Sequence, residues 1–198
     1  MRVKVFLALG CLSVALALPA ALRADSCTGS GNLVTNCSFG TGDLTGWNFT
    51  AAGSGTDFYI GVGSGYNGDN SANFGAVSDE YDTISQTLTT VSGQTYTLTF
   101  WLSNEYGDNT GVSTDFQALW NGTSLLEQYT TSGLIEYTYI VTGTGSDTLT
   151  FEGYNGPSWY LLSDVSVSNT SPIPEPSSLL LLGSGLAVLA GLMRRRFM

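Results

Sequence analysis

Gln94-Thr95-Tyr96-Thr97-Leu98-Thr99-Phe100-Trp101-Leu102 alternates without a break: Tyr96, Leu98, Phe100 and Leu102 fall on one face of an extended chain, and Thr95, Thr97, Thr99 and Trp101 fall on the other. This is the pattern of an antiparallel strand that puts one face on a core and the other toward water. Phe116, Ala118 and Trp120 repeat it, as do Ile135, Tyr137, Tyr139 and Val141, and Leu149 with Phe151 and Val165 with Val167 close the series. From about Asn32 to Asn169, Gly, Asn, Asp and Ser punctuate the chain at close intervals, and no helical apolar period of useful length occurs. The length fits a single domain. Seven to nine such strands predict an all-β antiparallel β-sandwich, two sheets over one core, in the absence of the repeats of a barrel or propeller.

Outside that body the composition changes. Residues 1–24 read as a secretory signal peptide: Arg2 and Lys4, an apolar run from Val5 to Leu18, then small residues. Cleavage is placed after Ala24, with Ala20 or Ala21 as alternatives because Leu22 stands third before the cut. Removal discards Cys11 and leaves Cys27 and Cys37, an even count in a chain bound for an oxidising compartment, so a disulfide is expected. With no His in the chain, two thiolates alone would leave a zinc site incomplete.

The other end carries three parts in order: Pro174-Glu175-Pro176 within a Pro-rich linker (171–178), an apolar run from Leu179 to Met193, and Arg194-Arg195-Arg196. At ~1.5 Å per residue such a run spans about 23–26 Å, just enough to cross a membrane as a helix (179–198 with its basic tail). The three arginines keep the far end cytoplasmic, so the body (25–170) faces outward. The order resembles the PEP-CTERM tail, a bacterial sorting signal. That resemblance implies an exosortase-type membrane enzyme as partner, membrane anchoring through the C-terminal helix, and then delivery to the cell surface or the extracellular matrix.

Charge narrows the chemistry further. The chain holds 6 Lys and Arg, 16 Asp and Glu and no His, and no basic side chain occurs between Arg23 and Arg194. A body with that balance repels phosphate backbones, which excludes nucleic-acid binding. Ser-His-Asp, Cys-His and Schiff-base catalysis lack their imidazole or lysine. What remains is carboxylate chemistry: a hydrated surface, calcium ligation, or a pair of acids acting on a glycosidic bond. Glu80, Glu105, Glu127, Glu136 and Glu152 are the available acids for the last of these. Asp79, Glu80 and Asp82 read as a solvated loop, and the segments 65–70 and 104–109 read as turns without calcium-loop spacing. Of the four tryptophans, Trp47, Trp101, Trp120 and Trp159, most are expected in the core or at its rim. Asn48, Asn121 and Asn169 match the N-glycosylation pattern, which a bacterial sorting tail sets aside.

Asn32-Leu33-Val34-Thr35-Asn36-Cys37-Ser38-Phe39 with Gly42-Asp43-Leu44-Thr45-Gly46-Trp47 resembles the opening strand and turn of jelly-roll domains common in PEP-CTERM proteins and similar to carbohydrate-binding modules of the galactose-binding-like fold. Gly153 to Val167, through Trp159 and Ser163-Asp164-Val165, resembles their closing strand. The resemblance implies a non-enzymatic surface protein with adhesive or saccharide-binding capacity, exopolysaccharide being a candidate ligand, and no required cofactor. It also implies a structural calcium beside the first and last strands, with Asp164 as its ligand. Gly40 stands where the opening acidic residue is usual and Ser163 where a second aspartate is usual, so a cation that wants six to eight oxygens loses ligands at both places.

Overall fold

The computed structural model describes Cys27, Gly29 and residues 31–77, 80–104, 113–130, 132–156 and 158–169. The segment expected to be a signal peptide and the whole sorting tail, with Pro174, Glu175, Pro176, Arg194, Arg195 and Arg196, lie outside the described residues, as does Glu105. Among the described residues no helix is long and apolar enough to cross a membrane.

Among the described residues ten strands form two five-stranded antiparallel sheets: β1 (Asn48–Thr50), β2 (Phe58–Gly61), β3 (Ser71–Phe74), β4 (Asp82–Thr89), β5 (Thr95–Asn104), β6 (Thr114–Trp120), β7 (Thr123–Gln128), β8 (Ser132–Thr142), β9 (Ser146–Asn155) and β10 (Tyr160–Asn169). One sheet runs β1-β4-β9-β6-β7 and the other β2-β3-β10-β5-β8. The all-β sandwich is as expected, with more strands than the seven to nine anticipated. β1 and β2 are three and four residues long, too short to display an alternation.

In β5, Tyr96, Leu98, Phe100 and Leu102 are buried while the intervening residues are partly or fully exposed. Leu149 and Phe151 of β9 and Phe116 and Ala118 of β6 are wholly buried opposite them. Phe151 of one sheet meets Phe100 of the other edge to face, ring centroids 5.0 Å apart, and Phe74 meets Phe116 across the same core at 5.4 Å. Such edge-to-face pairs add about 0.5–1.5 kcal/mol beyond the area they bury.

β10 changes parity. Tyr160 and Leu162 face the core from even positions, Val165 and Val167 from odd ones, and all four are fully buried. A register shift between Ser163 and Ser166 against β5 absorbs the extra residue, and Asp164 takes the left-handed backbone (φ 52°) that such a bulge uses. The outer face of β10 is covered as well. The turn at residues 65–70 lies on it, the Tyr66 amide donating to Ser163 Oγ at 2.9 Å. Gly65 permits this approach, since a Cβ there would come within 2.5 Å of the Asn70 carbonyl and 2.7 Å of Ser163 Cβ.

The opening segment is not the regular strand that its resemblance suggested. It makes one bridge, Asn32 to Ser168, and then turns, with Asn36 and Phe39 both at positive φ. The Asn32 side chain substitutes for a ladder, its Oδ1 accepting from the amides of Val34 (3.0 Å) and Val167 (2.9 Å). Val34, Cys37, Phe39 and Trp47 nonetheless reach the core. Cys27 and Cys37 are joined as a disulfide. Closing that short loop restricts the unfolded chain by roughly 2–3 kcal/mol in the chain-entropy model.

Candidate functional site

The outward face of the β4-β9-β6-β7 sheet is where chemistry-bearing side chains gather. Alternation in β9 leaves Glu152 and Tyr154 outside while Phe151 and Gly153 face in, and in β6 it leaves Asp115 and Gln117 outside. Register then aligns them. Asp115 pairs with Tyr154 and Gln117 with Glu152 on one side, and Gln117 pairs with Glu127 of β7 on the other. Tyr81, just ahead of β4, packs edge to face on Tyr154 at 5.1 Å. Tyr129, just past β7, is exposed. Three tyrosines and Asp115 thus form one row across the sheet, with Glu152, Gln117 and Glu127 forming the next at the usual ~4.8 Å strand spacing.

Hydrogen bonds organise the row. The Tyr81 hydroxyl donates to Asp115 Oδ2, and Gln117 Nε2 donates to the same oxygen at 2.9 Å and to the Tyr81 hydroxyl at 3.1 Å. The Tyr154 hydroxyl pairs with Ser113 Oγ at 2.9 Å. Asp115 is 3 % exposed, and among the described residues its Oδ1 has no hydrogen-bond partner. Burial, then the bond to Asp115, raises the Tyr81 hydroxyl above its ordinary range. Burial followed by the bond to Glu127 pushes Tyr129 up to about 12, and burial followed by the Asp115 charge raises Glu152. Tyr81 and Tyr129 therefore stay neutral donors at any ordinary pH.

The acids anticipated for a glycosidic pair separate in space. Glu127 and Glu152 share this face with Gln117 between them, about 10 Å apart by strand spacing. Glu136 lies on β8 of the other sheet and Glu80 is exposed outside any strand. Asp82, expected in a solvated loop, is fully buried instead. It accepts from the amides of Ala52 (2.9 Å) and Asp57 (3.2 Å) and from the Thr56 hydroxyl, so it clamps a turn. The tryptophans supply no open platform. Trp47 and Trp120 are buried, Trp101 is half-buried under a parallel Tyr66 ring 3.8 Å away, and Trp159 is half-buried against Tyr59.

Tyr81, Tyr129, Tyr154, Asp115 and Gln117 were not anticipated in the sequence. The alternation of β6 and β9 placed Asp115 with Gln117, and Glu152 with Tyr154, on solvent faces, but which strands lie side by side is a matter of topology. A pocket of about 420 Å³ beside the disulfide is lined by Asn32, Asn36, Ser38 and Thr41. The Asn32 and Asn36 side chains already bond the surrounding backbone.

At the position the resemblance assigns to calcium, Asp164 is buried in the β10 bulge. Nearby oxygens are engaged: Phe39 O accepts from Asn70 Nδ2 (2.9 Å) and Gly42 N (2.9 Å), and Ser163 Oγ accepts from Tyr66 N. Among the described residues no three His, Cys, Asp or Glu side chains come together that could hold a metal.

Residues 172–196 match the PEP-CTERM protein-sorting motif. No curated protein matches the chain. Among solved structures, the chain is similar to a carbohydrate-binding module, TmCBM61, in complex with beta-1,4-galactotriose (18 % identity, 71 % of this chain and 99 % of that one, TM-score 0.54). It is also similar to the Clostridium thermocellum xylanase 10B CBM22-1-GH10 modules complexed with xylohexaose (13 %, 72 % and 29 %, TM-score 0.52). The K3 cleaved adhesin domain of Lys-gingipain from Porphyromonas gingivalis shares the architecture too (17 %, 68 % and 96 %, TM-score 0.51). At these identities the likeness establishes the jelly-roll fold and nothing finer.

Proposed function

We propose that this is an exported, exosortase-sorted surface or extracellular-matrix protein whose body binds saccharide without turning it over, on the tyrosine and carboxylate face of the β4-β9-β6-β7 sheet. The observation that carries the reading is the row Tyr81, Tyr154, Asp115, Tyr129. Tyrosine rings offer apolar faces to the C–H faces of sugars, and Asp115, Gln117, Glu152 and Glu127 offer acceptors and a donor to hydroxyls. Asp115, buried beneath the row, holds the Tyr81 hydroxyl and the Gln117 amide in place for a ligand. With three carboxylates on the face and no basic residue between Arg23 and Arg194, the ligand is a neutral or cationic glycan, not a uronate or sulfated one.

Titration of the exported protein with soluble neutral, amino-sugar and uronate polysaccharides tests this. Binding is expected for one of the first two classes, with Tyr154→Ala weakening it at least tenfold, about 1.4 kcal/mol. Failure of the wild type to bind either class, or undiminished binding by Tyr154→Ala, would reject the reading. Calcium at Asp164 is proposed as dispensable: the same titration with and without calcium should give one affinity.

A second reading, a carboxylate-dependent glycan-processing enzyme, draws on Glu152, whose carboxyl is raised by burial beside the Asp115 charge. Reducing-end release from a bound glycan, abolished by Glu152→Gln with binding retained, would favour it over simple binding.

The sorting half of the proposal rests on the tail. The run from Leu179 to Met193 anchors the protein on the outward side of the membrane until the exosortase-type enzyme acts near Pro174-Glu175-Pro176. The intact mass of the surface-delivered protein should show both the signal segment and the residues beyond that tripeptide removed. A mass that includes Arg194-Arg195-Arg196, unchanged when the sorting enzyme is deleted, would exclude it.

A further inference from the structure

The four sheet margins of the sandwich are unequal. β1 and β2 are three and four residues long, and β7 is six residues with a register shift opposite Ala118 and Leu119. β8, the fourth, has eleven residues, and from Ile135 to Thr142 it pairs regularly with β5, on one side only among the described residues. Edge strands are ordinarily blunted by shortness, lysine, proline or a bulge. β8 has none of these along that regular stretch, where Ile135 and Ile140 are 44 % and 64 % exposed; Leu134, at the register shift that precedes it, is 37 % exposed.

The exposed apolar residues have an order. In an antiparallel pair of two β8 strands centred on Tyr137, residues whose numbers are equidistant from 137 lie opposite each other. Leu134 then meets Ile140 of the second copy on the outer face, and Ile135 meets Tyr139 on the core face. Glu136 meets Thr138, so the one charged residue of β8 avoids its own counterpart. β5 beside it carries no charge at all, so Glu136 is the one charge that these two strands of the negative body present. Both copies contribute the same surface, as a two-fold interface requires.

We propose that this protein self-associates by β8-to-β8 pairing about Tyr137, joining the β2-β3-β10-β5-β8 sheets of two copies into one continuous sheet. The second copy is the occupant because the apolar pattern is complementary to itself in that one register, with a strand edge that no described residue pairs to supply the ladder. The proposal is independent of the saccharide reading, since the tyrosine row lies on the other sheet.

Paired cysteines read the register. Leu134→Cys and Ile140→Cys are prepared as separate variants of the exported protein, mixed and mildly oxidised. A disulfide-linked heterodimer is expected from the mixture at several times the yield of linked dimer from either variant alone. The two positions lie about 20 Å apart along one strand, so no linkage forms within a chain. Adding Thr138→Pro to both variants, with the sheet signal in circular dichroism retained, should abolish the heterodimer. Equal yields from the single variants, an equal yield when Val62→Cys replaces one of them, or no linked product at all would overturn the proposal.

Discussion

Truncation of Phe151 to alanine is expected to lower the free energy of unfolding by about 3–5 kcal/mol. The ring is fully buried at the middle of β9 and touches both sheets: Phe100 at 5.0 Å, Phe116 at 6.1 Å and Trp47 at 6.2 Å between centroids. No neighbour closes the void freely, because Phe100 and Phe116 are held by their own strands and Trp47 by the turn ahead of β1, and close-packed interiors relax only in part. Phe151→Leu keeps the apolar contact and most of the volume, so a smaller cost of about 1.5 kcal/mol is expected. Urea unfolding followed by far-ultraviolet circular dichroism measures both, and an alanine cost below about 1.5 kcal/mol would mean that the two sheets do not share the core described.

Asp147→Ala is the second large effect, at about 3–5 kcal/mol. Asp147 is fully buried at the start of β9. It accepts from Asn121 Nδ2 (2.6 Å), Thr144 N (2.9 Å), Thr144 Oγ1 (2.8 Å) and the Thr90 hydroxyl. Those groups come from the β6-β7 turn, the β8-β9 turn and the end of β4, so one carboxylate gathers three connections. Burial pushes its pKa up, but the hydrogen bonds outweigh burial and hold it at about 2, below the ordinary 3.8. A depressed folded value means that the contribution is whole above the unfolded value and fades as pH falls through about 4 toward 2. Stability measured against pH should therefore decline over that interval in the wild type, and Asp147→Asn should lack this part of the decline. An alanine variant within 1 kcal/mol of wild type would show that the donors find other partners.

The two residues differ in how far the sequence announced them. Phe151 stands in an alternating run with Leu149, and its inward direction follows from the two-residue period alone. Asp147 stands in the same run, and although Thr144 is only 3 residues away, nothing local says that its other partners are Thr90 and Asn121, 57 and 26 residues away. Asp82 carries the same lesson. In sequence it belongs to an acidic loop, and burial converts it into a clamp on the 52–57 turn. Ile135, Tyr137 and Tyr139 mark the reverse case: their alternation reads as core, but β8 lies at a margin, so Ile135 is 44 % exposed and the tyrosine rings are half-buried.

Residue order and composition alone are enough to read the body as an all-β sandwich without basic side chains ahead of a PEP-CTERM tail. Strand periodicity, charge and targeting segments are local properties of a chain, so no neighbour in space is needed to read them. Only the tertiary structure decided that Tyr81, Tyr154, Asp115 and Tyr129 share a row, that Asp164 makes a bulge, and that β8 is the long margin. Each of these depends on which strands pair and in what register, and that choice is made by the joint burial of residues far apart in the chain.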